Sequence, residues 1–220
     1  MQHVSNMPLC GTIPAIPAKA HAHRALISAA LATSPSSILI SHSSKDIDAT
    51  MDSLRSLGSK ITYEQGVAHI TPGPPPSIGH VLPHESGTTL RLLLPVSATI
   101  CDTVKVDAKG RLPERPLEPL LSEMKAHGVS FSQEAPPFTM SGKLQSGTFS
   151  MTGTVSSQFF SGLLLAAPQL GHTTVNCTSS LQSKDYVTLT IETMKDFGVQ
   201  VIEDITEEGY PSFTIEENQH

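Results

Sequence analysis

Lys19 and Arg24 close the two ends of a Lys-Ala-His-Ala-His-Arg run, which sets a compact charge and a planar fork about one helical turn apart. Such a pair suits a phosphate beside a carboxylate, because a guanidinium grips planar anions through two hydrogen bonds and an ammonium acts as a point charge. Ser86-Gly87-Thr88-Thr89-Leu90-Arg91 and Ser156-Ser157-Gln158 read as helix starts. The first backbone N–H groups of a helix have no internal partner and attract anions. For Ser156 and Ser157 the plainer alternative is capping alone. Arg111-Leu112-Pro113-Glu114-Arg115-Pro116 adds two guanidiniums among prolines; the alternative there is two surface arginines, one paired to Glu114. His21 and His23 resemble a metal pair, but side chains two apart on a helix diverge, so no metal is expected.

These groups need elements to hold them. Thr154 to Gln158 runs into Phe159 to Pro168, a segment apolar on nearly every face, which a globular protein accommodates only deep inside. Shifting the chain against itself shows why such a helix has company. Gly58, Gly128 and Gly198 recur at intervals of 70 residues, each after a helical pattern and before a strand pattern. In register lie Ile47, Leu117 and Val187; Met51, Leu121 and Ile191; Leu54, Met124 and Met194; and Arg55, Lys125 and Lys195. Apolar residues at i, i+4 and i+7, a basic last turn and a terminal glycine predict an amphipathic helix with a glycine cap.

Three units follow, over about 12–75, 76–145 and 146–220. Each reads as helix, strand, amphipathic helix and two strands. In the first these are Arg24 to Leu31, Ser37 to Ser41, Asp46 to Leu57, Lys60 to Glu64 and Val67 to Thr71. In the second they are Thr88 to Ala98, Thr103 to Asp107, Leu117 to His127, Val129 to Gln133 and Phe138 to Ser141. In the third, Thr148 to Thr152 leads into the apolar helix, then Thr173 to Cys177, Tyr186 to Phe197, Gln200 to Asp204 and Ser212 to Glu216. The first helix of each unit is the more apolar, which places three helices together at the centre with strands outside and their N-termini on one side. The class is α+β, an α/β mixture.

With 14 Lys and Arg against 20 Asp and Glu, the net charge is −6, which argues against a broad nucleic-acid or membrane footprint. Cys10, Cys101 and Cys177 lie far apart without CxxC spacing, as for reduced thiols in a cytoplasmic protein. No apolar run reaches the length of a membrane span.

In order along the chain, Lys19…His23-Arg24-Ala25-Leu26, Ser44-Lys45-Asp46, Ser86 to Arg91, Arg111 to Pro116, Ser156 to Phe159 and Ser183…Tyr186 resemble the EPSP synthase family of enolpyruvyl transferases. The resemblance covers nearly the whole chain. It implies βαβαββ units with central helices and outer sheets, and transfer of the enolpyruvyl group of phosphoenolpyruvate to the 5-hydroxyl of shikimate-3-phosphate. By resemblance Lys19, Arg24, Ser156, Ser157, Gln158, Ser183 and Tyr186 bind shikimate-3-phosphate, and Lys19, Gly87, Arg111 and Gln158 meet phosphoenolpyruvate. No cofactor is implied. Two departures stand out: Ala20 where the family usually has serine, and Glu85 where it commonly has asparagine. The family has two such domains, and its principal acid and base residues come from the second. Residues 1–220 are therefore expected to be a single N-terminal domain that binds shikimate-3-phosphate weakly, does not turn over alone, and has the missing C-terminal domain as its partner. A non-catalytic phosphometabolite-binding module and a domain acting on a UDP-linked amino sugar are the alternatives.

Overall fold

The computed structural model describes residues 10–12 and 16–219. Six helices and eleven strands follow one another in the order α1 (Lys19–Leu31), β1 (Ser36–Leu39), α2 (Lys45–Ser56), β2 (Lys60–Glu64), β3 (Val67–Thr71), β4 (Ile78–Val81), α3 (Gly87–Ile100), β5 (Thr103–Val106), α4 (Leu120–Ala126), β6 (Ser130–Phe131), β7 (Phe138–Ser141), β8 (Thr148–Met151), α5 (Ser157–Ala166), β9 (Thr173–Cys177), α6 (Asp185–Asp196), β10 (Ile202–Ile205) and β11 (Pro211–Ile215).

The helix ends repeat to the atom. After α2, α4 and α6 the chain turns through Gly58, Gly128 and Gly198 at φ of +113°, +95° and +86°. The following N–H then reaches back to the carbonyl five residues earlier: Ser59 to Leu54 at 3.1 Å, Val129 to Met124 at 3.0 Å and Val199 to Met194 at 3.0 Å. Each glycine N–H bonds the next carbonyl, of Arg55, Lys125 or Lys195. This is the Schellman closure, and the left-handed residue at its centre favours glycine. Leu54, Met124 and Met194 are all buried, so the same turn that satisfies the carbonyls also fixes an apolar anchor.

The strands form three sheets, ordered β1-β3-β2, β4-β5-β7-β6 and β8-β9-β11-β10. In the second and third, the leading strand runs parallel to its neighbour through a βαβ crossover, β4 with β5 and β8 with β9; the other pairings are antiparallel. Among the described residues the first sheet has no such leading strand. In α1, Ala22 through Ala29 are buried without a break, and α3 and α5 are buried on nearly every face. The helices that begin each unit therefore make the shared core, as their apolar composition requires.

Pro95 sits inside α3 and brings no N–H for the carbonyl of Arg91. Gly162 of α5 packs on that carbonyl: a Cβ there would stand 2.6 Å from the Arg91 oxygen and 3.0 Å from Cγ of Pro95. A proline in one helix and a glycine in its neighbour thus let α3 and α5 approach closely.

Several boundaries differ from expectation. Strand β4 follows the Pro-rich break and was not anticipated. Helix α1 begins at Lys19, five residues earlier than predicted. Helix α4 begins only at Leu120, because Pro119 stands at its N-cap and biases the residue before it away from helix. Strand β6 is cut to two residues, since Glu134-Ala135-Pro136-Pro137 offers few donors for a ladder.

A candidate anion cradle at the helix N-termini

The first turns of α1, α2, α3 and α5 are stitched to one another by side chains. Lys19 Nζ lies 2.6 Å from Oδ2 of Asp46 in the first turn of α2. The backbone carbonyl of Asp46 accepts from Oγ1 of Thr89 in α3 at 3.2 Å. Gln158, in the first turn of α5, donates to Oγ1 of Thr88 at 2.9 Å and accepts from Nη1 of Arg91 at 3.1 Å. Capping begins three of these helices: Ser44 Oγ accepts from Ile47 N–H, Ser86 Oγ from Thr89 N–H, and Ser156 Oγ from Gln158 N–H. The capping role considered for Ser156 is therefore present, and it leaves neighbouring Ser157 buried.

Two guanidiniums face the start of α3. A Cβ added to Gly87 would stand 2.9 Å from Nη1 of Arg115 and 3.8 Å from Nη1 of Arg91. Arg91 lies over the Phe159 ring, 5.4 Å from its centre, and its Nη2 donates to the carbonyl of Pro116 at 3.2 Å. Burial, and secondarily the charge of Arg115, hold the Arg91 pKa below its ordinary value. Two like charges and uncovered helix amides at one glycine favour an anion at that point.

Arg24 makes a different environment. It is 1 % exposed, and Nε donates to Oγ1 of Thr190 at 2.6 Å. Nη1 bonds the carbonyl of Ala20 at 2.7 Å, and Nη2 bonds Oγ of Ser161 at 3.1 Å and the carbonyl of Tyr186 at 3.0 Å. Four of its five N–H groups are thus used within the protein. Desolvation lowers its pKa to about 10, which leaves it charged at neutral pH. The Tyr186 ring lies 5.9 Å from the guanidinium carbon, with about half of the residue open to solvent. Ser183, exposed and at φ +52°, starts the turn into α6, where its carbonyl accepts from Tyr186 N–H at 3.1 Å.

The residues named from the sequence thus fall into groups. Lys19, Gly87 and Gln158 belong to the linked first turns, and Arg24, Ser183 and Tyr186 gather around the start of α6. Arg111 belongs to neither. Its side chain is 91 % exposed and reaches Glu114 at 3.4 Å, while Arg115 of the same motif is the one beside Gly87. The cause is a single 3-10 turn, Leu112–Glu114. Leu112 is buried as its anchor, so Arg111 and Glu114 turn outward together and Arg115 follows in extended backbone. Neither Arg91 nor Arg115 is assigned a ligand by the sequence motifs; the signal available for Arg91 is its place one turn after Gly87, on the same helix face.

Of the two departures, Ala20 contributes its carbonyl to Arg24 rather than a side-chain hydroxyl. Glu85 leans over Gly110, where an added Cβ would meet its carboxylate. His21 is exposed and His23 buried, and among the described residues no three His, Cys, Asp or Glu side chains are grouped to hold a metal. No described helix is long and apolar enough to cross a membrane.

Comparison with known proteins shows the family. The family model described as EPSP synthase (3-phosphoshikimate 1-carboxyvinyltransferase) matches residues 5–220. The 3-phosphoshikimate 1-carboxyvinyltransferase of Clostridium kluyveri is 36 % identical over 228 residues, covering all of this chain and 52 % of that protein. The enzyme of the same name from Methanocorpusculum labreanum is 36 % identical, covering 94 % of this chain and 50 % of its own length. The chain thus spans about half the length of the curated relatives it matches. A solved EPSP synthase from Acinetobacter baumannii superposes with a TM-score of 0.73 at 21 % identity, over 94 % of this chain and 47 % of that one, which supports the fold of three units with central helices.

Proposed function

The chain belongs to the EPSP synthase family, and on that premise we propose that it forms the shikimate-3-phosphate-binding half of an enzyme that transfers the enolpyruvyl group of phosphoenolpyruvate to the 5-hydroxyl of shikimate-3-phosphate, releasing phosphate. Residues 1–220 act as one N-terminal domain in the cytoplasm, and a C-terminal domain supplies the principal acid and base groups.

The observation that carries this reading is the pair Arg91 and Arg115 at Gly87, joined through Gln158 to the first turn of α5. Two polyanionic substrates must be held side by side while charge shifts between them, which calls for fixed donors rather than mobile ones. In this reading Arg115, with the Gly87 backbone and Lys19, meets phosphoenolpyruvate; Arg115 takes the place first given to Arg111. Ser156, Ser157, Ser183, Tyr186 and the spare N–H of Arg24 meet shikimate-3-phosphate. Gln158 lies at the boundary between the two.

The test is a titration of the 220-residue chain with shikimate-3-phosphate, followed by mixing with the C-terminal half of a family member and an assay of phosphate release. Saturable binding and activity only in the mixture are expected. No binding, or turnover by this chain alone, would refute the assignment.

A further inference from the structure

His23 is fully buried beside the cradle, yet none of the roles above uses it. Its Nδ1 lies 2.7 Å from Oγ1 of Thr50, which lies 2.7 Å from Oγ1 of Thr89, which lies 2.8 Å from Oγ of Ser86, the N-cap of α3. Three hydroxyls and one imidazole thus form a continuous chain from α1 through α2 to the helix start beside Arg115.

The direction of that chain follows from its unmatched end. Among the described residues Nε2 of His23 has no hydrogen-bond partner. A buried N–H without an acceptor is rarer and costlier than an acceptor left partly satisfied. The imidazole proton therefore belongs on Nδ1, donated to Thr50. From there the donors run Nδ1–H to Thr50, Thr50 to Thr89 at 2.7 Å, nearer than the Asp46 carbonyl at 3.4 Å, and Thr89 to Ser86 at 2.8 Å, nearer than the same carbonyl at 3.2 Å. Ser86 Oγ already accepts from Thr89 N–H at 3.2 Å. Its own proton has no protein acceptor left along this chain and is free for an anion at the first turn of α3.

We propose that His23 is a positioning residue, whose Nδ1–H sets the donor direction of the Thr50, Thr89 and Ser86 hydroxyls and so presents the Ser86 proton to the anion bound at Gly87. This rests on the reading of that turn as the phosphoenolpyruvate site. Asparagine can replace His23 in this role, because its amide N–H can donate to Thr50 from a similar place, whereas leucine cannot.

The experiment uses the 15N-labelled 220-residue chain. The imidazole 15N shifts of wild-type His23 are expected to place the proton on Nδ1; a proton on Nε2 overturns the proposal without any substitution. The Gly87 and Thr88 amide signals are then followed during titration with phosphoenolpyruvate. His23→Leu is expected to weaken binding about fivefold or more, and His23→Asn to stay within about twofold of wild type, at equal folded fractions. Equal affinity of the leucine variant overturns the proposal. If the wild-type amides ignore phosphoenolpyruvate, the site assignment falls, and the tautomer measurement still decides the direction of the chain.

Discussion

Arg91 donates to Gln158 across the contact between α3 and α5, over 3.1 Å, and this is where the core helices and the candidate anion site become one structure. Gly162 sits one turn further along α5 and packs on the carbonyl of the same arginine. Gly162→Ala is expected to lower stability by about 2 kcal/mol through overpacking against backbone. Urea denaturation of the variant checks this, together with a loss of anion affinity larger than its distance from the site would suggest.

Arg115 and Arg111 offer a clean contrast. Replacing the outward Arg111, 91 % exposed, with alanine should change phosphoenolpyruvate affinity less than about twofold, as for most exposed ion pairs. Arg115→Ala should cost at least about tenfold, or about 1.4 kcal/mol. Calorimetric titration of the two variants in the presence of the C-terminal half measures both.

Arg24 is both a core side chain and a candidate ligand. Arg24→Ala removes four hydrogen bonds and empties a buried site. Thr190 and Ser161 keep each other and the Tyr186 carbonyl as partners, so about 3 kcal/mol of stability should be lost, mostly through the cavity. Arg24→Lys keeps a charge without the planar fork and should recover only part of it. Thermal unfolding monitored by circular dichroism separates the two.

His23 imposes a pH dependence. Desolvation lowers its pKa from 6.5 to about 4 in the folded protein, against a smaller opposing pull from Asp46. Below 6.5 the unfolded chain binds the proton and the folded chain does not, so stability is complete above that pH. It falls as the pH drops towards 4 and levels off below, by about 3 kcal/mol at most. His23→Asn should flatten this part of the profile in denaturation midpoints between pH 7 and 4.

Much of this was legible because the pattern is written three times. The glycine caps at 58, 128 and 198 announced the amphipathic helices, and the uniformly apolar runs announced what lies inside. Strand β4 escaped because Ile78-Gly79-His80-Val81 is short, carries a glycine and follows three prolines. Its glycine is needed, since a Cβ would stand 2.7 Å from Leu57 Cδ2 and 2.8 Å from Cys101 Sγ. The choice between Arg111 and Arg115 was hidden for another reason. Both share one motif, and a single 3-10 turn decides which of them faces inward. Apart from the Ala20 carbonyl, the partners of Arg24 lie too far along the chain for any local signal.

That distance has a consequence for synthesis. Arg24 belongs to α1, which leaves the ribosome long before α6, and Thr190, its tightest partner, is 166 residues downstream. Until α6 emerges, a guanidinium meant for the interior lacks Thr190 and the Tyr186 carbonyl, and contacts of such separation form late. Nascent chains stalled before Thr190 should therefore hold α1 loosely, and damage to α6 should be felt in α1.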